Sequence, residues 1–282
     1  MENFVWDPAQ YAHFAGHRAR PFVDLTNAVN HPAPQQVFDL GCGPGNMTVT
    51  LADRWPDAQI TGYDASAEMI EDAQQLVDSR EDDAWANVSF AQQEAGSWTP
   101  PAETDVIVSN AMFQWIPNHI EIISNWLETL KPGAWFAMQV PGNSVARSHQ
   151  YIGELAAEER FSVAKEAAYT GESVHSVEDY THMLLEHGFR PNVWETTYHQ
   201  VLSGPDPVYD WVKGAALRPV LQKLAKHDAA HDTNLHDAFV LRYKAEMLAA
   251  YPPYIGPDGQ EVTVYPFRRI FVVGHKELDY FI

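Results

Sequence analysis

The 282-residue sequence predicts an α/β fold: a mostly parallel seven-stranded sheet with helices on both faces, carrying a helical cap made from two insertions. Three observations predict it. Short apolar runs alternate with segments of helical periodicity through the first half of the chain. The run Asp105-Val106-Ile107-Val108-Ser109-Asn110 is nearly all apolar, as a strand covered on both faces must be. A glycine-rich turn, Gly41-Cys42-Gly43-Pro44-Gly45, joins the first strand to the first helix.

Each element follows from local pattern. Residues 37–40 form a short apolar strand that runs into the glycine turn. Met47, Leu51, Ala52 and Trp55 share a helix face, and Pro56 stops that helix. Residues 59–63 are a second strand closed by Asp64, and Ser66 caps a helix bearing Met69, Ile70, Ala73, Leu76 and Val77. Residues 88–91 and 105–110 are the third and fourth strands. A helix over 117–130 turns Ile120, Ile123, Trp126, Leu127 and Leu130 inward, and Lys131-Pro132-Gly133 leads to a fifth strand over 135–140. The alternation then lapses over 143–175, which is helical in pattern. A helix over 177–187 and a strand over 193–202 resume it, 204–253 is helical again, and 269–273 is a closing strand. The expected organisation is therefore an N-terminal lid (1–30), an α/β core (31–142), a cap insertion (143–175), a core helix and strand (176–203), a second cap insertion (204–253) and a final core strand (254–282).

Composition removes whole classes of function. With 18 Lys+Arg against 38 Asp+Glu, the net charge of −20 repels nucleic acid and anionic membranes alike, so neither is an expected partner. A single cysteine, Cys42, excludes an internal disulfide. The opening Met-Glu-Asn-Phe-Val-Trp-Asp lacks the basic and apolar regions of a secretory signal, and no run reaches the roughly 18 apolar residues of a membrane span. The expectation is a cytoplasmic protein acting on a small molecule, with oligomeric state left open and a monomer as the default.

The glycine turn sits where an open α/β sheet binds its ligand. Glycine lets a ligand approach the backbone and leaves amide N–H groups facing it. Gly41, Gly43 and Gly45 read G-x-G-x-G, with Asn46 where the dinucleotide fingerprint G-x-G-x-x-G has its third glycine. Asp64, closing the second strand, is placed for two ribose hydroxyls, and the acidic Asp39 beside the turn suits an ammonium better than a pyrophosphate. S-adenosylmethionine has a ribose, an adenine, an ammonium, a sulfonium and no phosphate, so it fits better than a nicotinamide dinucleotide.

These residues carry a resemblance. Val37-Phe38-Asp39-Leu40-Gly41-Cys42-Gly43-Pro44-Gly45-Asn46 and Ile60-Thr61-Gly62-Tyr63-Asp64-Ala65-Ser66, with Met69-Ile70, resemble the first two motifs of class I S-adenosylmethionine-dependent methyltransferases, whose fold is Rossmann-like. Stretches spread over the whole chain resemble the trans-aconitate methyltransferase family within that class. They include Trp6-Asp7-Pro8, Arg18-Ala19-Arg20-Pro21, Asn110-Ala111-Met112-Phe113-Gln114-Trp115, Trp194-Glu195-Thr196-Thr197-Tyr198-His199-Gln200, Leu217-Arg218-Pro219, Arg242-Tyr243 and Arg269-Ile270-Phe271. The resemblance implies that Asp39, Gly41, Cys42 and Gly43 border the methionine portion, with Asp39 taking the ammonium. It implies Asp64 at the ribose, Ala65 and Met69 beside the adenine, and Asn110, Ala111 and Trp115 near the sulfonium. Glu94, with Ala95, matches the position where the class usually has an Asp for the adenine amino group, and Gln93 replaces the usual small residue before it.

An acceptor carboxylate arrives ionised and is already a nucleophile, so its methylation needs positioning and water exclusion, with no catalytic acid or base. Cations should hold it, since a guanidinium binds a carboxylate through two parallel hydrogen bonds. The candidates are Arg18 and Arg20, behind the lid segment with Tyr11; Arg218 and Arg242, in the second insertion; and Arg269 at the last strand, with Tyr198 and His199 adding hydrogen bonds. Arg54, Arg80 and Arg160 read as surface charges. The cluster His227, His231 and His236 reads as a solvated helix end, so no metal is expected. A thiol at a helix N-terminus can have a lowered pKa, but Cys42 has no partner in sequence and reads as a small residue fitted to a tight turn. Trp55, Trp98, Trp126 and Trp135 read as core, while Trp6, Trp115, Trp194 and Trp211 could wall a sulfonium. A methyltransferase of another small molecule, a nicotinamide-linked oxidoreductase and a non-catalytic S-adenosylmethionine-binding protein stay open at this point.

Overall fold

The computed structural model describes residues 15–80, 82–168, 171 and 173–277, with side chains from residue 19 onward. In chain order the elements are α1 (Ala15–Asn27), β1 (Gln36–Leu40), α2 (Thr50–Arg54), β2 (Gln59–Asp64), α3 (Ala67–Asp78), β3 (Val88–Gln92), β4 (Val106–Asn110), α4 (His119–Thr129) and β5 (Trp135–Pro141). There follow α5 (Arg147–Ala156), α6 (Val177–Glu186), β6 (Phe189–Leu202), α7 (Pro207–Lys213), α8 (Arg218–His231), α9 (Leu235–Ala250), β7 (Tyr254–Ile255) and β8 (Glu261–Lys276).

The strands run in the order β3-β2-β1-β4-β5-β8-β6, with β7 paired to β8 off this path. β1 to β5 pair in parallel, and β8 is antiparallel to β5. Parallel neighbours require crossovers, which α2, α3 and α4 supply. Local chemistry sets the helix starts: Ser66 accepts from the Met69 amide at 3.3 Å, and Ser176 and Asp179 form a capping box ahead of α6.

The chain divides into two compact units. The sheet unit comprises residues 18–141, 173–196 and 269 onward. Its core lies on one face of the sheet, where Phe38, Leu40, Ile107, Phe136, Met138 and Val140 meet Ile123, Trp126 and Leu127 of α4 and Tyr180, Met183 and Leu184 of α6. The second unit takes in residues 142–172 and 197–268 and has its own core. There α5 and α7 to α9 bury Ile152, Leu155, Trp211, Leu217, Leu224, Phe239 and Tyr243 with Tyr265 and Phe267 of β8.

Two elements differ from the sequence expectation, and one expectation lies largely outside the described residues. The helix expected from Met47 is regular only over α2, because Thr48 and Thr50 spend their hydroxyls on Asp39 and on the Met47 carbonyl. β8 begins at Glu261, well before residue 269, and β7 pairs with its start. Residues 1–14 of the expected lid lie outside the described residues; Phe22, Leu25 and Val29, further along it, are buried. Among the described residues no helix is long and apolar enough to cross a membrane.

Candidate cofactor and acceptor site

Strand order reverses between β1 and β4: the chain leaves β1 for β2 on one side and returns to β4 on the other. Ligands of open α/β sheets bind at the carboxyl ends of the strands flanking such a switch. Register decides which side chains share a face there. Asp39 pairs with Val108, Val108 with Ala137, and Asn110 with Gln139. Side chains alternate along a strand and neighbours in register point the same way, so Asp39, Asn110 and Gln139 lie on the face opposite the core of Phe38, Ile107 and Phe136.

The glycine turn closes over this edge. The amides of Gly41 and Cys42 donate to the Tyr63 carbonyl at 2.7 and 3.0 Å, binding the turn to the end of β2. Gly41, Gly43 and Gly45 have φ of 76°, 55° and 78°, a region that L-residues with a Cβ avoid. A Cβ at Gly41 would stand 2.6 Å from Met112, and one at Gly45 2.7 Å from the Phe90 ring, so both are packing positions. A Cβ built on Gly43 would meet nothing within 4 Å among the described residues, so that side of its backbone is open to a ligand.

Two acids flank the opening. Asp64 accepts from the Gly43 amide at 2.9 Å through Oδ2 and from the Ser66 amide at 2.9 Å through Oδ1. Each carboxylate oxygen keeps a further lone pair for a ribose hydroxyl. Burial raises the Asp64 pKa, partly offset by these backbone donors. Asp39 is fully buried, and burial pushes its pKa up to about 7 against the opposing 2.7 Å hydrogen bond from Thr48 Oγ1. An ammonium beside it would favour the ionised form. Asn110 Oδ1 is buried with no hydrogen-bond partner among the described residues, which leaves an unmet acceptor at the end of β4. A buried acid, an open glycine, a second acid with spare acceptors and an unmet amide oxygen together suit a cationic nucleoside amino acid and supply nothing for a phosphate.

The other expected cofactor residues gather at the same strand ends. Ala65 is exposed at the end of β2, its carbonyl held by Gln92 at 2.9 Å, and Met69 is buried one helical turn on. Glu94 is exposed and Ala95 buried just beyond β3. After β4, Ala111 takes a φ of 57°, its amide donates to the Gln139 carbonyl at 2.8 Å, and Gln114 Nε2 donates to its carbonyl at 2.6 Å. Trp115 is half-buried in the turn Phe113–Trp115 that follows. Cys42 is buried and burial pushes its thiol pKa up, the reverse of what a helix N-terminus alone would do, so it is packing and no nucleophile.

The expected acceptor residues divide. Tyr11 lies outside the described residues, and Arg18 is on the first turn of α1. Arg20 is exposed and 3.7 Å from Asp24. Arg269 is buried on β8, with Nη1 donating to Gln139 Oε1 at 3.1 Å. In the second unit Tyr198 is buried, His199 exposed, and Arg218 half-buried at the start of α8. Arg242 is exposed and its guanidinium fork is filled by both carboxylate oxygens of Glu158, a surface ion pair. Trp211 packs against Tyr265 and Phe267 inside the second core. His227 and His231 stack at 4.2 Å on the exposed end of α8. Arg54, Arg80 and Arg160 are exposed, as expected. Sequence reading passed over Thr48 and Gln139; the signal for the latter was one amide inside the otherwise apolar Trp135–Val140 run.

A mostly parallel sheet of this order, with an acid-flanked G-x-G-x-G turn at its switch point, defines a class I methyltransferase that uses S-adenosylmethionine. A family profile described as a methyltransferase domain matches residues 11–193. The trans-aconitate 2-methyltransferase of Streptomyces coelicolor is 45% identical over 275 residues, covering 96% of this chain and 87% of its own. That of Streptomyces avermitilis is 43% identical, covering 96% and 97%. The chain belongs to the trans-aconitate 2-methyltransferase family. Among solved structures, the YcgJ protein of Bacillus subtilis shares the fold with a TM-score of 0.56 at 16% identity, covering 93% of this chain and 99% of its own.

Proposed function

We propose that this protein transfers the methyl group of S-adenosylmethionine to one carboxylate of trans-aconitate, or of a close polycarboxylate, giving the monomethyl ester. The observation that carries the acceptor is the 45% identity, over 96% of the chain, to a relative of that name. When bound, S-adenosylmethionine supplies an electrophilic methyl carbon on a sulfonium. Ionised Asp39 holds its ammonium and Asp64 its ribose hydroxyls, while Gly41, Cys42 and Gly43 offer backbone to the methionine portion. Ala65, Met69, Glu94 and Ala95 surround the adenine, and Asn110, Ala111 and Trp115 stand beside the sulfonium. The acceptor carboxylate needs no general base, so these residues act by alignment and by excluding water. Arg269, buried and fork-shaped, is the first choice to hold a carboxylate of the acceptor.

Mass spectrometry of the protein incubated with S-adenosylmethionine and trans-aconitate tests this. A product heavier than trans-aconitate by one methylene unit, absent without protein, is expected. Recovery of unreacted trans-aconitate alone would move the acceptor to another small molecule.

A further inference from the structure

Gln139 carries an unmet donor at the end of β5. Gln139 is 1% exposed, yet its Nε2 has no hydrogen-bond partner among the described residues. The orientation of the amide is fixed by its other end. A guanidinium has donors only, so the group facing Arg269 Nη1 at 3.1 Å must be the oxygen, which turns the NH2 away. Leaving such a donor buried and unpaired destabilises the fold, and retained instances call for a ligand, ion or water.

Its surroundings say what would satisfy it. Gln139 is in register with Asn110, the last residue of β4, whose Oδ1 is also buried and unpartnered. Neighbours in register point to the same face, so an unmet acceptor and an unmet donor stand on adjacent strands. Across β8 the register partner is Phe271, against which Trp194 stacks at 4.7 Å with the rings 4° apart. An amide donor beside a buried arginine and a flat apolar wall is the chemistry of a planar unsaturated carboxylate.

We propose that Gln139 Nε2 binds a carboxylate oxygen of the acceptor, with Arg269 orienting the amide, and so sets specificity for a carboxylate beside the sulfonium. This rests on the carboxyl-methylation reading above. The pairing also accounts for the two orphan groups at once: Asn110 faces the cofactor and Gln139 the carboxylate next to it.

Calorimetric titration separates the possibilities without turnover. Protein saturated with S-adenosylhomocysteine, the unreactive product, is titrated with trans-aconitate. Gln139→Glu keeps an acceptor for Arg269 and replaces the donor by a carboxylate oxygen; Gln139→Met is close in size and removes both. Binding of trans-aconitate should weaken at least roughly tenfold in both variants, more in Gln139→Glu, with S-adenosylhomocysteine affinity within about twofold of wild type. Unchanged trans-aconitate affinity in either variant would overturn the proposal. So would parallel loss of both ligands in both variants, which would assign Gln139 to the sheet or the cofactor. If the wild type itself does not bind trans-aconitate, the acceptor reading and this proposal fall together, whereas wild-type binding that the variants leave unchanged overturns this proposal alone.

Discussion

Burial changes the two carboxyls, Asp39 and Asp64, that we propose for the cofactor's ammonium and ribose. Folding raises the Asp39 pKa from 3.8 to about 7. Between those values the folded chain keeps a proton that the unfolded chain has lost. The stability of the cofactor-free protein therefore falls as pH rises through that window and levels off above about 7. Urea midpoints measured across it should show this slope, and Asp39→Asn should remove it. Cofactor binding runs the other way. An ammonium binds the ionised acid, so S-adenosylmethionine affinity should drop roughly tenfold per unit below about pH 7 and stay level above it. An affinity independent of pH from 5 to 8 would contradict the assignment. Asp64→Ala should abolish calorimetrically detectable S-adenosylmethionine binding, because it removes the ribose acceptors and frees the Gly43 amide together.

At the scale of elements, the segment after β4 is held from outside. His119 Nδ1 lies 3.0 Å from the Ile116 carbonyl, so that nitrogen carries the proton, and Nε2 accepts from Tyr180 Oη at 2.9 Å. Burial lowers the His119 pKa, which keeps the ring neutral in this arrangement. Ser173 Oγ adds a 2.5 Å hydrogen bond to the Gln114 carbonyl. The Asn110–Trp115 stretch is thus tied to α6 and to the segment ahead of it, which are remote in sequence. Tyr180→Phe leaves His119 Nε2 unpaired in the core and should destabilise the protein by about 1–3 kcal/mol in urea unfolding. A change below a few tenths of a kcal/mol would show that the pair is not a structural tie.

Across the whole molecule, the apolar residues make two cores. Every described residue that we propose for the cofactor belongs to the sheet unit, whereas Phe161 and Phe239, edge to face at 5.2 Å, belong to the second. Phe239→Ala should cost about 3–5 kcal/mol of stability by opening a cavity there. Cofactor affinity measured under native conditions should be retained in that variant; a matching loss of affinity would link the second core to the cradle.

What could be read directly was whatever repeats locally or sits in one short motif. The alternation of strands and helices to Val140, the capping of α3 by Ser66, the glycine turn with Asp39 and Asp64, and the absence of a disulfide all follow from neighbours in the chain, because period, capping and backbone freedom are short-range properties. The start of β8 is not legible as a strand because its buried row opens on the polar Thr263 ahead of Tyr265 and Phe267, while Val262, Val264 and Pro266 fall on the other face. The fate of each arginine was not legible: Arg242 meets Glu158 and Arg269 meets Gln139 across 84 and 130 residues of sequence. Nor was Gln139, whose significance lies in being in register with Asn110 and buried with its Nε2 donor unmet among the described residues. Short-range pattern along the chain specifies the elements and the glycine turn. Which polar groups end up buried, paired or unmet follows from the fold as a whole, since hydrogen bonding and desolvation depend on what long-range packing brings together.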